Sequence, residues 1–363
     1  MSRASVDPTT SPAPAGAPSP RRHARTGSRS TRRVLAVVGV VVLVLAAAGF
    51  GAAWWFQRSL DSNIERLGDP FAAIETPEGE AAEPAEENEA VNLLVLGSDS
   101  RISAGDPSQW EAGAQRTDAI MLVHLPEDRK SAQVVSIPRD SWVDIPGHGE
   151  AKINAAFSYG GPSLMIQTVQ DLTGVQIDHF VVTDFESFTA MTDALDGVRI
   201  RVPEDIGDGD QVFFHKGVHM MSGEEALKYT RQRHGLNNGD FGRVQRQQNW
   251  MRAILAKVNN NRNDVGMMSD FFTTVSKSVA ADDGFTIDRM RNLYMSARGL
   301  STNDVDFMTA PYSGTGRSDD GQSIVVLDRA RFDPLMEAIA NDEAGHYVEE
   351  HADDLEVLPA TVK

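Results

Sequence analysis

The hydrophobic positions of the chain form one long apolar block, followed by short apolar runs that alternate with amphipathic stretches. The block covers residues 34–56 and has no charged residue. About 20 apolar residues cross the hydrocarbon core of a bilayer as a helix. The block ends in Trp54, Trp55 and Phe56, and aromatic residues are typical of the membrane interface. A cleaved signal peptide would have an apolar stretch of only about 7–15 residues, so we predict a transmembrane helix over 34–56.

The charges on the two sides of this block predict its orientation. Residues 1–33 carry seven arginines and one acid, Asp7, for a charge of +6. Because basic residues mark the cytoplasmic side, we expect a single-pass membrane protein with a cytoplasmic N-terminus and an extracytoplasmic remainder. The tail of residues 1–33 is rich in Ser, Pro and Arg without periodicity, which predicts disorder. Residues 57–90 are acidic and contain Pro, which predicts an extended linker.

The short runs that follow predict an α/β domain over residues 91–340. Buried or half-buried strands are predicted by runs rich in Val, Ile and Leu, at 91–97, 119–125, 132–138, 178–184, 198–202, 304–310 and 323–328. Helices are predicted by three- and four-residue spacing, at 161–173, 185–195, 265–281, 286–299 and 329–340, with two more starting near 222 and 240. The remaining residues, 341–363, are acidic and predict a solvated tail.

Three local patterns sharpen this prediction. Residues 198–202 alternate strictly, with the two arginines on the face opposite to the aliphatic residues, so this strand should have one exposed face. Ser222 and Glu225 form a capping-box pattern at the start of a helix. Asp240 is placed to cap the longer helix that follows.

Overall composition restricts the class of protein. The chain has 363 residues, no cysteine and a formal charge of −18, so disulfides, thiolate nucleophiles and Cys-based zinc sites are excluded. An acidic balance argues against nucleic acid as a partner, because binding relies on basic residues. The sequence has no nucleotide-binding phosphate loop and no GxSxG nucleophile motif. The stretch HYVEEH at 346–351 is one residue too long for the HxxEH metalloprotease pattern.

The charge is unevenly distributed. Subtracting the +6 of residues 1–33 from the total of −18 leaves −24 for the rest, yet from Lys228 to Arg252 five Arg and one Lys face one acid, Asp240. Surface Arg–Asp pairs are common and each is worth little. As a set, however, the arginines indicate an anionic ligand, since the guanidinium fork matches phosphate geometry.

The positions of these residues support one shared site. Arg101 and Arg139 follow buried strands, and ligands of open α/β sheets bind outside the carboxyl ends of strands. Arg231 and Arg233 point the same way in an extended segment, and the pair Arg243 and Gln247 share a helix face. Asp99 and Asp118 are hard oxygen ligands of the type that Mg²⁺ takes. A metal and a pyrophosphate sharing one site would account for this set.

In this arrangement the chain resembles the LytR-CpsA-Psr family over roughly residues 91–260. The resemblance rests on blocks that occur in family order: GSDSR (97–101), RTD (116–118), IPRD (137–140), YTRQRH (229–234) and DFGRVQRQ (240–247). It implies a mixed central β-sheet flanked by helices and a membrane-anchored, extracytoplasmic enzyme of cell-envelope assembly. Such enzymes are thought to move a glycan polymer from a polyprenyl-pyrophosphate carrier to the C6 hydroxyl of N-acetylmuramic acid in peptidoglycan, forming a phosphodiester.

The resemblance also implies roles for individual residues. Asp99 and Asp118 would hold Mg²⁺, with Mn²⁺ as an alternative. Asp240 would be the general base for the attacking hydroxyl, with His234 a second choice, although helix capping explains Asp240 equally well. The pyrophosphate would be held by Arg101, Arg116, Arg139, Arg231, Arg233, Arg243 and Gln247. A departure from the family pattern is an insertion at 104–114, which separates the two aspartates by 19 positions.

Three functions remain open at this point. The first is the transferase, for which teichoic acid, capsular glycan and arabinogalactan are equivalent donors because each presents the same pyrophosphate. The second is a hydrolase that uses the same site, with water in place of the sugar hydroxyl. The third is a transcriptional regulator, which would need a cytoplasmic DNA-binding fold; the sequence offers only a short Arg-rich tail inside. We expect a membrane-bound donor, a peptidoglycan acceptor and no nucleic acid.

Overall fold

A computed structural model of the protein describes residues 57–74, 89–98, 117–208, 211–232 and 239–358, which belong to one compact unit. The predicted basic tail and the predicted transmembrane helix lie outside the described residues. Among the described residues, no helix is both long enough and apolar enough to cross a bilayer.

Runs of strands and runs of helices follow one another along the chain. In chain order the strands are β1 (Glu65–Arg66), β2 (Val91–Ser98), β3 (Thr117–Leu125), β4 (Ala132–Ile137), β5 (Trp142–Ile145), β6 (Gly149–Lys152), β7 (His179–Asp184), β8 (Val198–Val202), β9 (Ile206–Asp208), β10 (Gln211–Phe214), β11 (Gly217–Met221), β12 (Val279–Ala281), β13 (Val305–Thr309), β14 (Tyr312–Arg317) and β15 (Ser323–Leu327). The helices are α1 (Asn154–Thr173), α2 (Phe185–Ala194), α3 (Gly223–Arg231), α4 (Gly239–Asn260), α5 (Val265–Ser278), α6 (Ile287–Ala297), α7 (Arg329–Ala340) and α8 (Ala344–Glu350).

The central sheet is mixed and has seven strands in the order β1-β12-β7-β2-β3-β4-β13. Strand β2 runs parallel to β7 and antiparallel to β3, and β4 runs antiparallel to β3 and parallel to β13. The carboxyl ends of β2, β4, β7 and β13 therefore lie at one edge, together with the start of β3. Four two-stranded sheets, β5-β6, β8-β11, β9-β10 and β14-β15, surround this core.

Both faces of the central sheet are covered, which makes the fold a three-layer α/β domain. On one face, Leu94, Leu122 and Val135 pack with Phe157 of α1 and Phe332 of α7. The opposite face has smaller apolar clusters that include residues of α4 and α6. Every residue of β4 is buried, including the polar Gln133 and Ser136, as expected for a strand covered on both sides.

Several predicted elements agree closely with the structure. Ser222 accepts from the backbone N–H of Glu225 and the Glu225 side chain accepts from the N–H of Ser222, so the predicted capping box is formed. Helix α1 starts earlier than predicted, at Asn154, and is kinked where Gly161 has a φ of 64°. The left-handed conformation of Gly161 favours glycine, and Pro162 follows it, so the helix is interrupted at this point. The three- and four-residue spacing of apolar residues therefore predicted only the part of the helix from residue 161 onward.

Other predictions are corrected by the structure. Helix α4 begins at Gly239, so Asp240 lies within its first turn instead of capping it. Residues 279–281 form strand β12 instead of continuing a helix. Residues 65–66 add strand β1 to the sheet, and so the folded part starts within the predicted linker. The predicted C-terminal tail contains helix α8, and its residues Val348 and Leu355 are buried in the main core. The sequence predicted a solvated tail because these few apolar residues are scattered among many acidic ones.

Candidate functional site

The candidate site lies at the edge of the sheet where β2, β4 and β7 end and β3 begins. Ser98 pairs with Thr117 of β3 and with Asp184 of β7 at this edge. Asp184 accepts a hydrogen bond from the N–H of Ser187 at 2.7 Å and so caps helix α2. Just before this edge, Gly97 lies so close to β3 that an added Cβ would be 3.1 Å from the Cβ of Ala119. The edge is therefore tightly built from backbone and short side chains.

Asp118 is the centre of the polar part of this site. Nη1 of Arg139, which follows β4, donates a hydrogen bond to Oδ1 of Asp118. Nη1 of Arg243, from helix α4, lies 3.7 Å from the same oxygen. Arg243 is only 3% exposed, and both other side chains are largely buried. One carboxylate thus brings together two arginines that are far apart in the sequence.

A second ion-pair chain continues outward from Arg139. Oδ2 of Asp140 lies 3.7 Å from Nε of Arg139, and Oδ1 of Asp140 lies 3.1 Å from Nζ of Lys152. Lys152 belongs to the β5-β6 hairpin. This hairpin therefore contacts the site through Lys152. Arg139 and Asp140 belong to the IPRD block, whereas Lys152 lies outside the sequence blocks named above.

Below the polar residues is a cavity of about 220 Å³. Asp118 and Gln247 lie on its wall together with Thr230. The remaining lining is mostly apolar and comes from the sheet and from helices α2 and α4: Val95, Gly97, Ser98, Ala119, Met121, Val181, Thr183, Asp184, Phe188, Met191, Trp250, Met251 and Val279. The cavity therefore has a polar end and an apolar body.

Aromatic stacking stabilises one wall of this cavity. The rings of Phe188 and Trp250 stack with centroids 3.8 Å apart, and Trp250 Nε1 donates to Oγ1 of Thr192 at 2.9 Å. Two rings held in this way keep α2 and α4 at a fixed separation. In the sequence these residues were indistinguishable from ordinary core positions.

Helices α3 and α4 are joined by buried polar side chains that the sequence did not identify as part of the site. Arg246 donates from Nη2 to the backbone carbonyl of Gln232, the residue after Arg231. Asn249 donates from Nδ2 to the hydroxyl of Tyr229 at 3.1 Å and accepts from Nη2 of Arg252 at 2.8 Å. These contacts fix the end of α3, next to Thr230 on the cavity wall.

The buried arginines make this region strongly electropositive. Burial lowers the pKa of Arg246, and the neighbouring guanidinium of Arg243 lowers it further, against an opposing effect of Tyr229. Burial also lowers the pKa of Arg252. Since a guanidinium stays protonated in proteins, the cost of these buried charges favours an anionic ligand. Arg246 belongs to the DFGRVQRQ block. This position in the sequence could have identified it as a residue of the candidate site.

The predicted site residues can now be located. The structure brings together Asp118, Arg139, Arg243 and Gln247, and Arg231 ends helix α3 beside the cavity-lining Thr230. Asp240 is in the first turn of α4, and its side chain is outside the described part. Also outside the described residues are Asp99, Arg101, Arg116, Arg233, His234 and the insertion at 104–114.

The described residues offer part of a metal site. Asp118 is a carboxylate at the polar end of the cavity, and Mg²⁺ commonly takes one or two carboxylates together with phosphate oxygens and water. No group of three or more metal-ligating side chains occurs among the described residues. Among the described residues, Asp118 is therefore one candidate metal ligand on the cavity wall.

Among curated proteins with similar sequences, two are named for cell wall biosynthesis or teichoic acid transfer and one for regulation. The chain is 29% identical over 360 residues to the cell wall biosynthesis protein LcpA of Corynebacterium glutamicum, covering 87% of this chain and 66% of LcpA. It is 29% identical over 322 residues to the polyisoprenyl-teichoic acid–peptidoglycan teichoic acid transferase TagU of Enterococcus faecalis, covering 85% and 97%. It is 37% identical over 181 residues to the regulatory protein MsrR of Staphylococcus aureus, covering 49% and 52%. The chain thus spans less than two thirds of LcpA and about half of MsrR.

Solved structures share the fold. TagT bound to LIIa-WTA matches with a TM-score of 0.59 at 26% identity, over 75% of this chain and 98% of that chain. The protein gbs0355 from Streptococcus agalactiae matches with a TM-score of 0.61 at 22% identity, over 71% and 89%. The model of the LytR_cpsA_psr family matches residues 68–341, which is more than half of the chain. The protein therefore belongs to the LytR_cpsA_psr family.

Proposed function

We propose that the protein is a membrane-anchored, extracytoplasmic phosphotransferase of cell-wall glycopolymers. Its donor is a glycan polymer on a polyprenyl-pyrophosphate carrier, and its acceptor is the C6 hydroxyl of N-acetylmuramic acid in peptidoglycan. The names of TagU and LcpA, a peptidoglycan teichoic acid transferase and a cell wall biosynthesis protein, support this class of reaction. The anchor is residues 34–56, with the catalytic domain outside the cytoplasm.

The observation that carries the proposal is the combination of a cationic polar end with an apolar cavity. Arg139 and Arg243 converge at Asp118, and the cavity with its apolar walls begins beside them. A ligand that fits both parts has an anionic head and a hydrocarbon tail. A polyprenyl pyrophosphate has this chemistry, whereas a nucleotide or a free sugar phosphate would leave the apolar walls unused.

The reaction is a displacement at phosphorus. The acceptor oxygen forms a bond to the phosphorus that bears the glycan, and the bond from this phosphorus to the bridging pyrophosphate oxygen breaks. Polyprenyl phosphate leaves with that oxygen, and the new linkage is a phosphodiester. Such transfers depend mainly on positioning and on stabilising charge on the phosphoryl oxygens, which explains why a site without a cysteine nucleophile is sufficient.

The chain's own residues supply this stabilisation. Arg139, Arg231 and Arg243 bind phosphoryl oxygens, with Gln247 as a neutral donor, and preorganised donors of this kind are worth most in a site that excludes water. Arg101, Arg116 and Arg233 belong to the same clamp in our proposal. Asp240 accepts the proton of the acceptor hydroxyl, and His234 is the alternative base.

A divalent cation belongs to the proposed site. Asp118, with Asp99, would hold Mg²⁺ or Mn²⁺, which would neutralise pyrophosphate oxygens and so make the lipid phosphate a better leaving group. Asp118 also contacts Arg139 and Arg243, so its carboxylate would be shared between these guanidiniums and the metal.

Hydrolysis of the same donor is the competing activity, since water could take the position of the acceptor. A regulatory role is named for MsrR, but the mostly apolar lining of the cavity fits a lipid tail and not a nucleic acid. The decisive experiment incubates the full-length protein in detergent with Mg²⁺, a polyprenyl-pyrophosphate glycan and peptidoglycan fragments. We expect glycan joined to the acceptor; release of free glycan phosphate without joining would support the hydrolase instead.

The matched variants are Arg139→Ala and Arg298→Ala. Arg298 is an exposed arginine at the end of α6, so its loss should leave turnover unchanged. Loss of one charge-stabilising donor costs about 10²–10³ in turnover in other enzymes, and we expect at least the lower figure for Arg139→Ala. Equal activity of both variants would refute the assignment of the site.

A further inference from the structure

The two-stranded sheet β8-β11 has two faces of opposite character. Val198, Ile200 and Val202 alternate on the inner face and are buried with Tyr229 and Met221. The other residues of β8 point outward, as the strict alternation of this strand predicts. The sheet is therefore a cover over the helices next to the cavity, with its outer face turned to solvent.

The outer face combines arginines with exposed aliphatic side chains. Arg201 is directly opposite Val218, and Arg199 is directly opposite Met220; opposed residues of an antiparallel pair share a face. Both arginines are exposed, Met220 is 61% exposed and Val218 is 43% exposed. On the adjoining strand β10, Val212 is 40% exposed. We call the four residues Arg199, Arg201, Val218 and Met220 the outer face.

The charge of this face is opposite to that of the domain. No carboxylate of the described residues lies within ion-pair distance of Arg199 or Arg201. The nearest described acids along the chain are Asp196, three residues before Arg199, and Glu204, three residues after Arg201. The next acid, Asp205, is engaged by the backbone N–H of Lys216 at 2.6 Å and by His215. In a protein whose residues after position 33 sum to −24, two exposed guanidiniums that pair with no carboxylate of the described residues, beside exposed aliphatic groups, are unlike an ordinary solvated surface.

The position of the face connects it to the candidate site. The inner side of the same sheet packs against a cluster that includes Phe188 and Trp250, and these two rings form a wall of the apolar cavity. The same cluster of side chains thus contacts the inner side of the sheet and the wall of the cavity proposed to hold a lipid tail. A surface that contacts the bilayer here would bring the cavity close to the source of its ligand.

We infer that the outer face docks on an anionic lipid bilayer. Arginines attract anionic headgroups, and aliphatic side chains between them enter the boundary between headgroups and acyl chains. A soluble polyanion would satisfy the arginines but leave Met220 and Val218 in water, so the mixed face fits a membrane better. The biological purpose of docking, which is to bring the cavity to its lipid donor, rests on the proposed function. The docking itself does not, because it is measured without any catalytic step.

The absence of cysteine from the chain allows a direct test. Met220→Cys in the full-length protein is labelled with an environment-sensitive fluorophore and placed in nanodiscs of phosphatidylcholine, with or without an equal part of phosphatidylglycerol. Nitroxide-labelled lipids serve as quenchers. We expect blue-shifted emission and quenching in the anionic discs. Arg199→Gln combined with Arg201→Gln should lower the ratio of docked to undocked protein about 25-fold, at about fivefold for each arginine.

Val265→Cys is the control position, since Val265 is 80% exposed at the start of α5. Equal quenching at Val265 and Met220, or quenching at Met220 that does not depend on phosphatidylglycerol, would overturn the inference. A fluorescence change caused equally by soluble polyphosphate would assign the face to a polyanion instead, and would also overturn it. The double arginine variant should keep its turnover of a short-chain donor in detergent, so a failure of docking and a failure of the proposed transferase give different results.

Discussion

Arg139 and Asp118 lie on neighbouring segments of the sheet edge, and Nη1 of Arg139 donates a hydrogen bond to Oδ1 of Asp118. Nη1 of Arg243, from helix α4, lies 3.7 Å from the same oxygen. Because Arg243 is almost fully buried, Asp118 compensates a charge that water cannot reach. Loss of the Asp118 carboxylate should therefore lower the stability of the protein.

We predict that Asp118→Asn destabilises the protein by about 3 kcal/mol, because removing one partner of a buried ion pair is strongly destabilising. The isosteric amide keeps the packing, so the loss reports charge. Chemical denaturation provides the measurement. Asp144→Asn is the control, since Asp144 is exposed and forms no ion pair with a described residue. A loss no larger than that of the control would show that Arg243 does not depend on Asp118.

The link between Arg246 and Gln232 leads to a prediction about ligand binding. Arg246→Lys keeps the charge but loses the planar fork that reaches the Gln232 carbonyl. The end of α3, which carries Arg231, should then lose its fixed position, and the affinity for inorganic pyrophosphate should fall about tenfold, or 1.4 kcal/mol. Isothermal titration calorimetry checks this, with Arg298→Lys as the control. A lower melting temperature with unchanged affinity would indicate a purely structural role.

The fold was largely predictable because its elements follow simple periodicities. The strictly alternating residues 198–202 form β8 with the expected exposed arginine face, and helix α7 has the predicted bounds of 329–340. Strand β12 was missed because Val279, Ala280 and Ala281 continue a helical pattern without a break. Their strand conformation depends on pairing with β7, a long-range contact that local sequence does not encode.

The site was predictable in its charged residues and not in its cavity. Arginines in an acidic chain are visible as a local reversal of charge, and Asp118, Arg139, Arg243 and Gln247 do converge. The aromatic pair Phe188 and Trp250 could not be told from core residues, because an apolar cavity wall and an apolar core have the same composition. Arg246 was counted in the charge but received no role, since only the structure shows its contact with the Gln232 carbonyl.

The apolar cavity predicts a dependence on the length of the lipid. Val279→Trp adds a large side chain to the cavity wall, which should exclude part of a polyprenyl tail. Each buried CH₂ contributes about 0.8 kcal/mol, so loss of even one isoprene unit should raise KM for a long-chain donor by more than about tenfold. A short-chain donor should be affected little. The comparison of KM for the two donors is the measurement, and Val279→Ala is the matched control.

If both donors lose activity equally in Val279→Trp while the protein remains folded by circular dichroism, the cavity does not hold the lipid tail. Equal KM values for long and short donors in the unmodified protein would lead to the same conclusion. Either result would leave the arginine site intact, because Val279 contributes an apolar side chain and no charge.

A buried histidine far from the site makes the stability depend on pH. His124 is fully buried; its Nδ1 lies 2.8 Å from Oδ1 of Asn92, and its Nε2 lies 3.1 Å from Oδ1 of Asp342. Burial lowers the pKa of His124 below its usual 6.5, more than Asp342 raises it. Asp342 thereby ties the residues after α7 to strand β3.

We predict that acidification from about pH 7.5 to about pH 5.5 lowers the free energy of unfolding by about 1 kcal/mol through His124. Below pH 6.5 the unfolded chain binds a proton that the folded protein resists, so stability is full above pH 6.5 and declines as pH falls toward the folded pKa. Urea denaturation at both pH values provides the measurement, and His124→Gln should remove this part of the decline. The exposed His346→Gln should not. An unchanged pH dependence in His124→Gln would mean that His124 is protonated equally in both states.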